Sequence, residues 1–337
     1  RLVKEADHVV IMGHRMSDLD AIGAAEGVLR ICKICDVPAV IAVRRDATLA
    51  GSLIDALCRA GQADDFIDPK AALPIISKKT LCVVVDTYQL GLVESREILE
   101  RCGKVAVIDH HRKGVGFIEH ADLVCHEPYS SSASELVTEL LQYVGDRDDK
   151  PSRVEAEGLL SGIMLDTRDF TLHTGVRTFE AAAALRRYGA ETERVRQLFD
   201  VTMVEYNAKA DLVEAAQMYR SCAISVSGEV PPEARVAIAQ AANDLLTIQN
   251  VEASFVAVQV GSGVNISARS LGAVNVQVIM ESLGGGGHQT MAAAQLKHIT
   301  PEAARARIQT AIDQYRESQK KPFSKNEPES RKKEKQG

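Results

Sequence analysis

The sequence has no apolar run of about 18 residues, the length that a membrane-spanning helix needs, and no recognisable signal peptide. It also lacks an excess of basic residues, because it has 40 Lys and Arg residues against 46 Asp and Glu residues, a net charge of −6. This balance argues against a broad nucleic-acid surface, although a local basic pocket for a small anion remains open. With 337 residues, 45% of them hydrophobic, the sequence predicts a soluble globular protein of two domains.

The seven cysteines form no pattern typical of a disulfide framework. Their number is odd and they are scattered over a long chain, which argues against a secreted disulfide scaffold. Cys32 and Cys35 form a CxxC pair, but it falls in a predicted helix and no second pair accompanies it. We therefore interpret the pair as helix packing rather than as a metal or redox site.

The first half of the sequence alternates apolar, β-rich runs with helical sequence. The runs are HVVIMG, AVIAV, TLCVVVD and KVAVID, with DDFID as a weaker fifth. Strands that alternate with helices predict right-handed βαβ units, hence an α/β fold with a parallel sheet and flanking helices. Further helices are predicted near residues 132–145, 151–165 and 177–189, and the first domain is expected to span residues 1–190.

The second half follows a different pattern. Residues 191–220 are predicted to form one charged linker helix. The runs CAISVSG, SFVAVQVG and VNISARS then predict strands, the last two joined as a hairpin across GSG. With predicted helices in VNVQVIMESLG and at 301–316, a smaller α/β domain is expected over residues 221–316. Residues 317–337 are poor in apolar side chains and predict a disordered tail.

Histidines and aspartates occur where three predicted strands end, in the turn after the first strand, and at the end of a helical stretch. They are His14, Asp18, Asp20, Asp86, Asp109, His110, His111 and Asp166. The carboxyl ends of parallel strands meet at one edge of a sheet, which is where ligands bind in such folds. We therefore expect these side chains to form a single site.

That many carboxylates in one place repel each other and resist burial unless cations neutralise them. Imidazole and carboxylate ligands without thiolates favour Mn²⁺, Fe²⁺ or similar octahedral ions over structural zinc. A pair of such metals is the usual solution for in-line phosphoryl transfer. Alone, Asp18 would be a helix N-cap and Asp86 a strand-end turn residue, but the conjunction of all these groups favours a metal site.

Several segments resemble a known family. GHRMSDLDAIGAA, VVVDT, IDHHRKG and GIMLDTRDF resemble the successive motifs of the DHH phosphoesterase superfamily, and GGGGHQTMAAA resembles the glycine-rich motif of its DHHA1 accessory domain. The stretches GH…SDLDAIGAA and EPYSSSASELVTELL look most like the catalytic module of GdpP-type cyclic-di-AMP phosphodiesterases. Family II pyrophosphatases carry a different accessory domain and RecJ-type exonucleases are larger, so both are disfavoured.

By motif position, the resemblance implies a first metal held by His14, Asp18 and Asp86. It implies a second metal held by Asp20, Asp86, His110 and Asp166, with Asp86 shared. Asp109 would orient these ligands without binding a metal itself, and His111 would lie near the scissile phosphate. Met16 and Ser17 replace a pair often seen in the family, but neither position is a ligand.

The resemblance assigns substrate binding to the second lobe, at Arg269, Gly285, Gly286, Gly287 and His288. Glycines let backbone N–H groups approach an anion, an arginine matches phosphate geometry, and the histidine adds a donor. Without the resemblance, the glycine run indicates only a loop or helix C-cap and the arginine a solvated strand residue. In YSSSASE, Ser131 or Ser132 is interpreted as a helix N-cap with Glu135.

The resemblance implies hydrolysis of cyclic-di-AMP to linear 5′-phosphoadenylyl-adenosine by a hydroxide that two metals, expected to be Mn²⁺, activate. The alternatives are a nano-RNase that degrades short oligonucleotides or the linear product, and a catalytically silent nucleotide sensor. A homodimer without a long nucleic-acid partner is implied. Because the sequence starts at Arg1 and reaches a predicted strand within a few residues, we expect a cytoplasmic catalytic fragment of a membrane-anchored parent.

Overall fold

The computed structural model describes residues 1–111, 116–145, 149–231, 234, 236–287 and 289–320. The chain divides into two units, Arg1–Asp200 and a second that begins at Val201. Among the helices of these residues, none is both long and apolar enough to cross a membrane.

The first unit is built on a parallel sheet. Its strands are β1 (His8–Met12), β2 (Ala39–Ala42), β3 (Phe66–Ile67), β4 (Thr80–Val85), β5 (Lys104–Asp109) and β6 (Leu123–His126). They pair in the order β3-β2-β1-β4-β5-β6, with every pairing parallel. All six residues of β4 are buried, which explains its continuous apolar sequence, because helices cover both faces of a parallel sheet.

The predicted α/β class and the five predicted strands are confirmed, but β6 was not predicted. It is an edge strand, and its Leu123 and Val124 are 50% and 51% exposed. A short strand with solvated side chains carries no buried apolar run from which it could be recognised.

Helices surround this sheet. They are α1 (Leu2–Glu5), α2 (Leu19–Ile34), α3 (Gly51–Leu57), α4 (Pro69–Ala72), α5 (Arg96–Arg101), α6 (Ala133–Leu141), α7 (Arg153–Asp166), α8 (Val176–Arg187) and α9 (Thr192–Gln197). The core joins residues of β1 and β4 with those of α2, α6 and α7. Helix α2 is buried on nearly all sides. Cys32 lies buried within α2 and Cys35 caps its C-terminus, both as free thiols.

Residues 191–220 do not form the single helix that was predicted. Helix α9 ends at Gln197, a separate helix α10 (Met203–Glu214) follows, and the chain then enters strand β7 (Gln217–Tyr219). Thr202 has extended backbone dihedrals, and its hydroxyl accepts from the Glu205 N–H while the Glu205 carboxylate accepts from the Thr202 N–H. This capping box starts a new helix, so the charged stretch is interrupted where the two units divide.

The second unit contains a mixed sheet. Besides β7, its strands are β8 (Cys222–Glu229), β9 (Ala253–Val260), β10 (Gly263–Ser270), β11 (Gly286–Gly287) and β12 (Met291–Lys297). Their order is β11-β12-β10-β9-β8-β7, and β8 pairs with β9 in parallel while the other pairings are antiparallel. The predicted hairpin is confirmed, with Val260 opposite Gly263. Strand β12 was missed because its buried positions are mostly small alanines.

The helices of the second unit are α11 (Val236–Leu245), α12 (Val276–Ser282) and α13 (Pro301–Lys320). Helices α12 and α13 were predicted, and α11 was not. Helix α13 continues through residues 317–320, so the predicted tail is wrong for these four positions. The rest of the predicted tail, residues 321–337, lies outside the described residues.

Candidate metal centre

The carboxyl ends of β1, β4 and β5 bring the predicted histidines and aspartates to one edge of the first sheet. Just beyond β1, His14 forms a bridge with Val93 in the loop after β4. Asp86 follows β4 directly, and its N–H donates to the carbonyl oxygen of Ile108 at 2.9 Å. Asp86 has a φ of 57°, a left-handed conformation that is costly for an aspartate. Such strain is found where a side chain is held for function.

His110 lies among three aspartates. Its Nε2 atom is 3.0 Å from Asp166 Oδ2, 3.4 Å from Asp86 Oδ1 and 3.9 Å from Asp20 Oδ2. Each of the four residues offers a ligand atom, and these atoms lie within 4.8 Å of one another. The set coincides with the second predicted group of metal ligands.

The other oxygen of Asp86 faces the first predicted group. His14 Nε2 lies 3.4 Å from Asp86 Oδ2 and 3.8 Å from Asp18 Oδ1, and these three residues again offer atoms within 4.8 Å of one another. Asp18 is also the N-cap of α2, since its Oδ1 accepts from the N–H groups of Asp20 and Ala21 at 3.0 and 3.1 Å. The two interpretations of Asp18 are compatible, because a carboxylate has several acceptor positions.

Burial disfavours the charged forms of the side chains in this cluster, whereas contacts between imidazoles and carboxylates favour them. Burial lowers the pKa of His110, yet its contacts with Asp166 and Asp86 raise that pKa to about 12. The pKa of His14 is raised in the same way to about 10. Burial raises the pKa of Asp166 to about 6 and that of Asp20 well above its usual value, to which the neighbouring carboxylates add. The carboxylates of the cluster therefore favour a positive charge among them, which protonated imidazoles or a bound metal ion can supply.

The donor set fits divalent cations. Asp86 Oδ1 and His110 Nε2 are buried, and neither has a hydrogen-bond partner among the described residues. Buried polar atoms are normally satisfied, so such atoms facing one another indicate a site suited to a positively charged ligand. Carboxylate oxygens and imidazole nitrogens without thiolates suit Mn²⁺ and related ions.

Behind these side chains, Asp109 fixes His111. Asp109 is fully buried, and its Oδ1 accepts from His111 Nδ1 at 2.8 Å and from the His111 N–H at 3.3 Å. Burial lowers the pKa of His111, but the hydrogen bond that His111 donates to Asp109 raises it above its usual value. His126 was missed from the sequence, although it ends β6 just as Asp109 ends β5. Its Nε2 donates to the His111 carbonyl at 2.5 Å, and its ring lies edge-on to Tyr88.

The residues predicted to bind substrate lie in the second unit. Arg269, in β10, is half-buried, and its guanidinium donates to the Ser267 hydroxyl at 3.1 Å and the Ala268 carbonyl at 3.0 Å. Gly286 and Gly287 form β11, and side chains at 285 and 287 would overlap the backbone of β12. Strand pairing alone therefore accounts for glycine at 285 and 287, whereas a Cβ atom at 286 would meet nothing within 4 Å. Contact of these glycines with an anion stays a prediction. His288 lies outside the described residues.

Comparison with known proteins agrees with this geometry. Residues 8–163 match the DHH family, N-terminal domain, and residues 233–318 match the DHHA1 domain. The chain therefore belongs to the DHH/DHHA1 phosphoesterase superfamily, as its motifs predicted.

Within that superfamily, the chain is 46% identical over 95% of its length to the cyclic-di-AMP phosphodiesterase GdpP of Geobacillus thermodenitrificans. It is 40% identical over 93% of its length to the cyclic-di-AMP phosphodiesterase PdeA of Listeria monocytogenes. It spans about half of each relative, 49% and 48%. A crystal structure of an exopolyphosphatase-related protein from Bacteroides fragilis shares the fold, with a TM-score of 0.80 at 20% identity, over 95% of this chain and 96% of that one.

Proposed function

We propose that this chain is a metal-dependent phosphodiesterase that hydrolyses cyclic-di-AMP to linear 5′-phosphoadenylyl-adenosine. The observation that carries the proposal is Asp86, whose two carboxylate oxygens face His110 on one side and His14 on the other. One buried carboxylate thus belongs to two groups of candidate ligands. The two phosphodiesterase relatives support the choice of substrate.

Two divalent ions, most simply Mn²⁺, would be held by the two groups that share Asp86. These are His14, Asp18 and Asp86, and Asp20, Asp86, His110 and Asp166. When bound, divalent cations activate water at neutral pH and neutralise the charge that develops on the phosphate.

His111 is the proton donor in this proposal. Asp109 engages its Nδ1 atom, which leaves Nε2 as the ring atom available to substrate, and half of the side chain is exposed. The carboxylate of Asp109 also favours the protonated imidazole. His111 would give its proton to the departing 3′-oxygen, leaving the 5′-phosphate on the linear product.

We further propose that the first unit carries the reaction and that the second binds the nucleotide. Arg269, Gly285, Gly286, Gly287 and His288 would contact the substrate there. Arg269 supports this assignment because it is a permanent cation on β10. Strand β10 pairs with β12, which in turn pairs with the glycine strand β11. The homodimer and the membrane-anchored parent that the resemblance implies stay predictions.

The substrate is tested by incubating the protein with Mn²⁺ and either cyclic-di-AMP or linear 5′-phosphoadenylyl-adenosine, followed by chromatography. We expect the cyclic substrate to be opened and the linear product to accumulate. Preferential conversion of the linear dinucleotide to AMP would instead identify an oligoribonuclease. Tight binding of cyclic-di-AMP without turnover at saturating Mn²⁺ would identify a nucleotide sensor.

The site is tested by Asp86→Ala. Because both ligand groups lose their shared carboxylate, we expect hydrolysis to fall on the order of a thousandfold, which corresponds to several kcal/mol of transition-state stabilisation. The matched control is Asp122→Ala, which removes an exposed aspartate. Asp122 accepts a hydrogen bond from the Val105 N–H at the start of β5, the end of the strand away from the metal centre. Undiminished turnover in Asp86→Ala would overturn the metal centre, provided that Asp122→Ala behaves like the unchanged protein.

A further inference from the structure

Three helices of the first unit meet at the carboxylate of Asp20. Asp20 lies in the first turn of α2 and is fully buried. Its Oδ2 accepts from the Ala133 N–H at 2.7 Å, and its Oδ1 accepts from the Ser134 N–H at 2.8 Å. Ala133 and Ser134 are the first two residues of α6, so a side chain from more than 100 residues earlier in the chain occupies the N-terminus of this helix.

The carboxylate completes the capping of α6. Ser132, one of the two serines predicted for this role, is the N-cap, and its hydroxyl accepts from the Glu135 N–H at 3.0 Å. Asp20 satisfies the two N–H groups that precede Glu135, which no residue within the helix can do. The partial positive charge of the helix N-terminus in turn offsets the cost of burying this carboxylate. Asp20 is thereby fixed in one orientation, with Oδ2 also 3.9 Å from His110 Nε2.

Helix α7 closes the third side of Asp20, and it can do so only because residue 162 is glycine. A Cβ atom at Gly162 would lie 2.6 Å from Asp20 Oδ1 and 2.8 Å from Asp20 Cα, and it would overlap the hydroxyl of Ser134. Carbon atoms do not approach so closely, so a side chain at this position would displace the carboxylate from the α6 amides. Gly162 also precedes Asp166 by four residues, which places the two positions on the same face of α7.

We propose that Gly162 is a positioning residue of the metal centre, and that its missing side chain lets the Asp20 carboxylate lie on the α6 N-terminus and face Asp86, His110 and Asp166. The inference rests on the proposed metal centre but not on the identity of the substrate. Residues that orient metal ligands in this way typically affect metal affinity nearly as much as the ligands do.

The test is Mn²⁺ binding to the metal-free full chain, measured by calorimetry without substrate. In Gly162→Ala, we expect the affinity for one of two ions to fall by about 10- to 100-fold. The matched control is Gly158→Ala, one turn earlier in α7, where the three atoms nearest to the new Cβ atom all belong to the Leu53 side chain, the first of them Cδ1 at 3.1 Å. Both substitutions change helix propensity equally, and Gly158→Ala should bind both ions as the unchanged protein does.

A double-mutant cycle separates positioning from general packing. Asp20→Ala removes the carboxylate, so Gly162→Ala should weaken Mn²⁺ binding no further when added to it, whatever its effect on thermal stability. If Gly162→Ala does not fold, Ala133→Pro replaces it. Proline is tolerated at the first position of a helix, follows the extended Ser132, and deletes the N–H that bonds Asp20 Oδ2.

Unchanged affinity for both ions in whichever of Gly162→Ala and Ala133→Pro folds would overturn the positioning role, as would additive losses in the cycle. Absence of any Mn²⁺ binding by the unchanged protein would overturn the metal centre and this inference together. Failure to hydrolyse cyclic-di-AMP alongside the expected Mn²⁺ results would overturn only the proposed substrate.

Discussion

Each of the two units contains a six-stranded sheet, but the units differ in the kind of polar side chain that they bury. In the part of the chain that the structure describes, every buried acidic side chain belongs to the first unit: Asp20, Glu26, Asp86, Glu94, Asp109, Glu135, Glu155 and Glu157. Among the described residues of the second unit, the buried polar side chains are the serines Ser225, Ser254 and Ser270.

The difference follows from how each kind of group is satisfied. The buried serines donate to nearby backbone carbonyls, for example Ser254 to Ala242 at 2.5 Å and Ser270 to Val274 at 2.6 Å. A carboxylate needs a cation, a helix N-terminus or a proton to be buried. We therefore expect the first unit to respond to pH and divalent ions, and the second to respond mainly to losses of apolar packing.

The largest effect is expected from a core substitution that destabilises the second unit and leaves the first unit folded. Phe255, fully buried on β9, lies in the core cluster of the second sheet. Phe255→Ala should lower the free energy of unfolding of that unit by about 3–5 kcal/mol through lost burial and the cavity left behind. Hydrogen exchange of β9 and β10 peptides measures this loss. Mn²⁺ affinity should stay unchanged, and a parallel fall in that affinity would mean that the two units are energetically coupled.

The next effect concerns a buried acid outside the metal centre. Glu26, in α2, accepts from Gln62 Nε2 at 2.9 Å through Oε1, while its Oε2 is buried with no hydrogen-bond partner among the described residues. Burial and the charges of Glu155 and Asp65 raise the pKa of Glu26 to about 8, against a smaller opposing effect of Lys33. The carboxyl is thus protonated in the folded protein at neutral pH.

Between its ordinary pKa of 4.5 and about 8, Glu26 holds a proton in the folded protein and loses it in the unfolded chain. Stability should therefore fall as pH rises through this window, by at most about 1.4 kcal/mol per pH unit and a few kcal/mol in total. Glu26→Gln should flatten this part of the profile. Denaturant unfolding of both metal-free proteins from pH 5 to 9 measures the difference, and parallel profiles would contradict the assignment.

The smallest expected effect comes from Mn²⁺ itself. At about 100 times its dissociation constant, a ligand that binds only the folded state stabilises by about 2.7 kcal/mol. Hydrogen exchange of β1, β4 and β5 should slow accordingly on Mn²⁺ addition, because their ends carry the candidate ligands. Exchange of β9 and β10 should not change, and equal protection of both sheets would show that the units unfold together.

Much of the first unit was predictable because its signals are local. The apolar runs of β1, β4 and β5 predict buried parallel strands. His14 and Asp86 come just after two of these strands, and Asp109 ends the third. Since parallel strands share one carboxyl edge, strand assignment was enough to predict that these side chains meet. The capping roles of Asp18 and Ser132 were readable for the same reason, because a cap acts within its own turn.

Other features depended on contacts that no local pattern carries. Residues 191–220 were predicted to form one charged helix, whereas the capping box of Thr202 and Glu205 starts a second helix within them. The edge strand β6 was missed, and with it His126, because its side chains are solvated rather than buried. The glycines before β12 suggested an anion loop, whereas their backbone also pairs closely with that strand.

By itself, the sequence determined which side chains gather at the first sheet, the superfamily to which the chain belongs, and the α/β class. Only the tertiary structure decided how these groups are held. Asp20 lies on the N-terminus of a helix that begins more than 100 residues later, and Gly162 leaves room for it. The physical reason is that strand periodicity and capping act over a few residues, while orienting a buried carboxylate requires amides and packing surfaces from elements far apart in the chain.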